Sequence, residues 1–242
     1  MDPGLKLTRL ILPTPEEKHL STTLPYRSLV GFLMWIALGS RPDIQYAVSY
    51  LSQFLDCFGQ THYDAAKRIV RYLKGTRLLK LHLGGGAVDL VGFTDASYAN
   101  CLDTRCSMSR YCFSLGSGLI SWSSRKQKTV STSTCETKYV AASDSCKETI
   151  WLRTLLNAID IPQTIPSPLK CDNNAAITLS SDPSFHNRVK HIDIKYHYIR
   201  ECVDAKALDV VYVNTKDNIA DAFTKPLDPK PFSRMRSLMG LR

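Results

Sequence analysis

The segment Val88–Asp95, VDLVGFTD, decides the fold. Its apolar and β-branched residues run without a helical period and stop on an acid, which is how a strand reads. Two similar runs follow, Arg110–Leu115 (RYCFSL) and Gly118–Ser124 (GLISWSS), with Gly116 and Gly118 in the turn between them. Three short runs this close together predict an antiparallel meander. A helical stretch then extends from about Thr134 to Asn157, and Pro162, Pro166 and Pro168 force a loop before Leu169–Asp172 (LKCD), a second apolar strand ending on an acid. Helix is predicted again over 173–181 (NNAAITLSS) and 191–206, strand over 209–213 (DVVYV), and a last helix over 217–225 (DNIADAFTK). The order βββ-α-β-α-α-β-α implies an α/β fold, a mixed sheet with helices on its faces.

Working toward the N-terminus, three consecutive glycines, Gly84–Gly86, favour neither helix nor strand and mark a boundary. They lack the spacing of a phosphate loop. Before them, 24–40 (LPYRSLVGFLMWIALGS) reads as an apolar helix ending at Gly39, and Pro42 starts a second through 41–56 (RPDIQYAVSYLSQFLD). A third, 62–75 (HYDAAKRIVRYLKG), places Lys67, Arg71 and Lys74 on one stripe and Ala65, Ile69, Val70 and Leu73 toward the other side. The expected organisation is a helical segment over 1–84, a sheet domain over 85–228 and a tail over 229–242.

Composition supports an ordered chain. Hydrophobic residues make up 44% and charged ones 22% of 242, too mixed for disorder. An excess of 31 Lys+Arg over 22 Asp+Glu, formally +9, suits a polyanionic partner without identifying one. Eight cysteines without a C-x-x-C pair read as reduced thiols. No apolar run reaches a membrane span and the N-terminus does not read as a leader, so the expectation is an intracellular protein, in cytoplasm or nucleus, with no membrane partner.

Four acids stand where chemistry could collect. Asp95 closes a strand, where a turn aspartate is equally at home. Glu136 follows Ser133 by three residues, as in a capping box, and Asp172 precedes a helix as an N-cap does. Asp221 lies in a short helix, where a surface acid is ordinary. Taken together, each falls at a strand end or on a helix able to pack beside it, and carboxylates are the ligands that hard divalent ions select. His191, His197 and Cys202 form no tight face and are set aside as metal ligands.

The surrounding strings, GFTDASYA (92–99), LDTRCSMSRY (102–111), GLISWSSRKQKTV (118–130), STCETKYVAAS (133–143), KETIWLRTLL (147–156), CDNNAAI (171–177), HNRVKHIDIKYHYIRE (186–201) and NTKDNIADAFTKPL (214–227), resemble the reverse transcriptase–ribonuclease H part of the Pol polyprotein of copia-type LTR retrotransposons. The resemblance implies a ribonuclease H-like mixed five-stranded sheet with flanking helices, preceded by a small thumb-like helical segment. It also implies hydrolysis of the RNA strand of RNA–DNA hybrids, with Asp95, Glu136, Asp172 and Asp221 holding two Mg2+ ions, Mn2+ being the substitute; the alternative is a catalytically weakened or inactive nucleic-acid-binding remnant of that polyprotein. Lys67, Arg71 and Lys74, the strand-to-helix loop residues Arg125, Lys126 and Lys128, and Asn173 become expected hybrid contacts, and the upstream reverse transcriptase portion an expected partner. No aspartate pair of a polymerase site is present, so DNA synthesis is not expected. An integrase would need two aspartates before its glutamate, whereas Glu136 comes second here.

Ser97, Cys101, Cys106, Arg110 and Lys138 depart from the family pattern, Arg110 replacing a glycine and Lys138 an acid. Lys138, two residues beyond Glu136 on a helix, is expected to face away from the acids and to have a modest effect.

Overall fold

The structure, a computed structural model, describes residues 4–9, 14–99, 101, 103–131, 133–174, 177 and 193–242. In chain order its elements begin with α1 (Pro15–Thr23), α2 (Tyr26–Gly39), α3 (Gln45–Leu51) and α4 (Gln60–Gly75). Strands β1 (Leu90–Ser97), β2 (Met108–Leu115) and β3 (Gly118–Lys126) follow, then α5 (Thr134–Ala158) and β4 (Ser167–Cys171). Last come α6 (Asp193–Asp204), β5 (Leu208–Tyr212) and α7 (Pro229–Leu238). The chain forms two compact units, one of Met1–His82 with Lys225–Arg242, the other of Leu83–Thr224.

In the helical unit, Tyr26, Val30, Leu33 and Ala37 make one buried stripe of α2 against Ala47, Val48 and Leu51 of α3 and Ala65, Ala66 and Ile69 of α4. Val70, expected on the inner side of α4, is 42% exposed, because Ala66 and Ile69 already fill the inward positions beside it. The expected single helix over 41–56 is α3 flanked by short 3-10 turns at Pro42–Ile44 and Ser52–Phe54. Its start is fixed by a buried Arg41–Asp43 ion pair at 2.8 Å, with Tyr72 donating to Asp43 Oδ2 at 2.6 Å. The residues read as a tail, 229–242, instead carry α7 and complete this unit. Lys80 N–H donates to the Arg242 carbonyl at 3.0 Å and Arg236 to the Tyr72 hydroxyl at 3.2 Å.

The other unit is the mixed five-stranded sheet of a ribonuclease H-like fold, in the order β3-β2-β1-β4-β5. β1, β2 and β3 pair antiparallel as the meander predicts, while β4 joins β1, and β5 joins β4, in parallel. Tyr139, Ala142 and Cys146 of α5 pack with Leu169 of β4, Leu208 of β5 and Ile199 and Cys202 of α6. Leu152 and Leu156, further along α5, pack on Leu90 and Phe113. The predicted helix over 173–181 falls largely outside the described residues. The last predicted helix is two 3-10 turns, Thr215–Asp217 and Ile219–Phe223. Asn214 and Asn218 each accept a backbone N–H two residues on, which restarts the chain locally and prevents a continuous α-helix.

Candidate functional site

Because β1 and β4 are parallel, their carboxyl ends lie at the same edge of the sheet, where sites on such folds form. Asp95 sits near the end of β1, 6% exposed, and Asp172 comes directly after β4 with its side chain 7% exposed. Thr215 donates to Asp172 Oδ2 at 3.0 Å. Asn218 Nδ2 donates to the Thr94 carbonyl at 3.1 Å, which ties the turn carrying Asp221 to β1. Asp221 is buried there and accepts from the Thr224 hydroxyl at 3.2 Å. Asp172 and Asp221 both act electrostatically on Asp95.

The residue that α5 presents to these acids is Lys138. Its Nζ lies 2.5 Å from Asp172 Oδ1 and 3.4 Å from Asp95 Oδ1, bridging the two strand ends. This overturns the expectation that Lys138 faces elsewhere. Two residues beyond Glu136, the long Lys138 side chain reaches the strand ends from the second turn of the helix, whatever angle separates the two Cβ atoms. Glu136 is buried in the first turn of α5, and its N–H donates to the capping Ser133 Oγ at 3.1 Å.

Electrostatics follow from this arrangement. Burial pushes the Asp95 carboxyl above its ordinary value, Lys138 pulls it back, and the charges of Asp172 and Asp221 add to the rise. For Lys138, burial opposes the charge, but the Asp172 hydrogen bond and the two carboxylates outweigh it and hold the ammonium above its usual value. A second cation lies alongside. Arg110 of β2 is paired directly opposite Asp95, hence on the same face of the sheet, is 1% exposed, and donates from Nε to Ser124 Oγ at 3.0 Å.

The two-ion site implied by the family resemblance does not fit these residues. An ion bridging Asp95 Oδ1 and Asp172 Oδ1 would need the place that the Lys138 ammonium takes between them. Among the described residues, no three of His, Cys, Asp and Glu are grouped so as to hold a metal ion.

The expected nucleic-acid contacts divide between the units. Arg125 and Lys126 at the end of β3, and Lys128 after it, are exposed, with Lys126 donating to Cys101 Sγ at 3.2 Å. Gln127 between them is buried and holds this loop by donating to Ser109 Oγ at 2.8 Å and the Thr137 carbonyl at 3.0 Å. Asn173, half-buried, adjoins Asp172. On α4, Arg71 and Lys74 are exposed, whereas Lys67 pairs with Asp64 at 2.6 Å and lies over the Tyr63 ring. His197 is exposed and Cys202 buried, and His191 lies outside the described residues. Among the described residues no helix is long and apolar enough to cross a membrane. Sequence reasoning missed Thr215 and Asn218, whose only signal is their place just before Asp221.

No family model matches the chain. It is 42% identical over 238 residues to the retrovirus-related Pol polyprotein from transposon TNT 1-94 of Nicotiana tabacum, covering 98% of this chain and 18% of that protein. It is 41% identical over 241 residues to the counterpart from transposon RE1 of Arabidopsis thaliana, covering 97% of this chain and 16% of that protein. The chain therefore spans less than a fifth of the length of these relatives. A solved foamy viral protease-reverse transcriptase in complex with RNA/DNA hybrid aligns over 89% of this chain and 28% of that one, at 12% identity and a TM-score of 0.43, too distant to bear on function. Identity near two-fifths along almost the whole chain makes it similar to one segment of the retrovirus-related Pol polyproteins of plant transposons.

Proposed function

We propose that this chain serves a retrotransposon Pol polyprotein, or a remnant of one, as a ribonuclease H-type unit that binds RNA–DNA hybrid without cutting the RNA strand. The observation that carries this reading is Lys138, bonded to Asp172 and 3.4 Å from Asp95 at the acidic end of the sheet. A cation there neutralises the carboxylates that hydrolysis would commit to metal, and it leaves the edge less repulsive to phosphate. Arg125, Lys126 and Lys128 would then take backbone phosphates beside Asn173, and Lys67, Arg71 and Lys74 on α4 a further stretch of backbone. The rest of the polyprotein, its reverse transcriptase portion foremost, is the proposed protein partner, in a cytoplasmic replication particle or the nucleus.

A second reading, hydrolysis with Mg2+ or Mn2+ at Asp95, Glu136, Asp172 and Asp221, is favoured by one observation. Asp95, Asp172 and Asp221 remain buried about one sheet edge. Fluorescently labelled hybrid separates the two readings. The proposed outcome is binding that weakens steeply with salt, as phosphate contacts require, and RNA cleavage in Mg2+ or Mn2+ no greater than that of Asp172→Asn. Cleavage well above that variant would restore the hydrolase reading, and absence of hybrid binding at low salt would remove the binding one.

A further inference from the structure

We infer that the ammonium of Lys138 has taken over charge that divalent metal would bring to Asp95 and Asp172, so that this sheet edge is assembled without metal. The inference rests on reading this edge as the former hydrolytic centre of the hybrid-binding unit.

Three carboxylates buried about one sheet edge need counter-charge, since like charges in a low-dielectric setting destabilise one another. A divalent ion is one source. Lys138 is another, and the structure shows it in place, reaching carboxylates from two different strand ends with its side chain 19% exposed. An acid reaching the same point as Lys138 would add a fourth carboxylate and make metal obligatory. The lysine makes it dispensable.

The test is Mn2+ binding to the whole chain, followed by electron paramagnetic resonance of free Mn2+ and by the thermal unfolding midpoint. The wild-type chain should show no Mn2+ binding that Asp172→Asn abolishes. Lys138→Glu should bind Mn2+ about 10-fold or more tightly than wild type, losing that gain when Asp172→Asn is added. Should Lys138→Glu not fold without metal, Lys138→Gln, which removes the cation without adding a charge, should gain thermal stability from Mn2+ where wild type does not. Wild-type Mn2+ binding that depends on Asp172 would overturn the inference. So would the absence of any Mn2+ response in both Lys138→Glu and Lys138→Gln. Hybrid binding measured on the same samples keeps the two claims apart. A wild-type chain that ignores both hybrid and Mn2+ defeats the proposed function alone, and one that binds hybrid and also takes Mn2+ through Asp172 defeats this inference.

Discussion

His62 is 2% exposed, and its Nδ1 accepts the Gly59 N–H at 3.1 Å, a bond that only an unprotonated Nδ1 can make. Burial lowers its pKa below the ordinary value. Above about pH 6.5 the imidazole is neutral in both folded and unfolded chains and costs nothing. As the pH falls below that, the unfolded chain takes up a proton that the folded one resists, so stability is lost, by at most about 1.4 kcal/mol per pH unit for one such group. Urea unfolding between pH 7 and 5 should show this slope in wild type and not in His62→Asn, which keeps an acceptor in place. An unchanged slope in the variant would remove His62 as the cause. Lys138 teaches a different lesson at the same scale. Its presence is plain in the sequence, and so is its charge, but where the end of so long a side chain comes to rest cannot be read from helical angle alone. Both Glu136 and Lys138 are polar, so hydrophobic patterning places neither, and Glu136 stands as a ligand only through the family resemblance.

Among the elements, α5 bears most on the site, because it carries Lys138 in its second turn and packs along both β4 and β1. Its first turn is held by Ser133, whose Oγ accepts the Glu136 N–H. Ser133→Ala should cost about 1 kcal/mol in urea unfolding, the usual worth of such a cap. It should also speed amide hydrogen exchange over 134–138 without changing exchange near Trp151. Equal change at both places would mean that the cap acts on the whole helix rather than on its end. The strands and α5 were legible because alternation and long apolar spacing survive in a single sequence. The 3-10 turns around Asp221 were not, since IADAF has a helical composition and only the side-chain bonds of Asn214 and Asn218 stop it from winding on.

At the scale of the whole molecule, the chain leaves the helical unit after His82, forms the sheet unit, and returns at Lys225. The return is structural. Lys80 and Arg242 exchange backbone hydrogen bonds at 3.0 and 3.1 Å, the His82 N–H donates to Gly240, and Met235, Met239 and Leu241 are buried. Gly240 turns the chain at φ 88°, a conformation that glycine adopts without strain. Little of this was visible in the sequence, because Met235 is the single buried residue of α7 and the bonds that tie the end of the chain back, Arg236 to Tyr72 and Arg242 to His82, span some 160 residues. Local periodicity carries no information about pairing at that distance. Ending the chain at Thr224 removes three buried apolar side chains, each worth about 1.5–3 kcal/mol when fully buried. That sum is comparable to the stability of a small unit, so residues 14–82 should lose most of their protection in hydrogen-exchange mass spectrometry. The strands of Leu83–Thr224 keep every bond of their own sheet and should exchange as they do in the full chain. Equal loss in both would show that the last eighteen or so residues stabilise the sheet as well, and protection unchanged in both would show that their burial contributes nothing to the helical core.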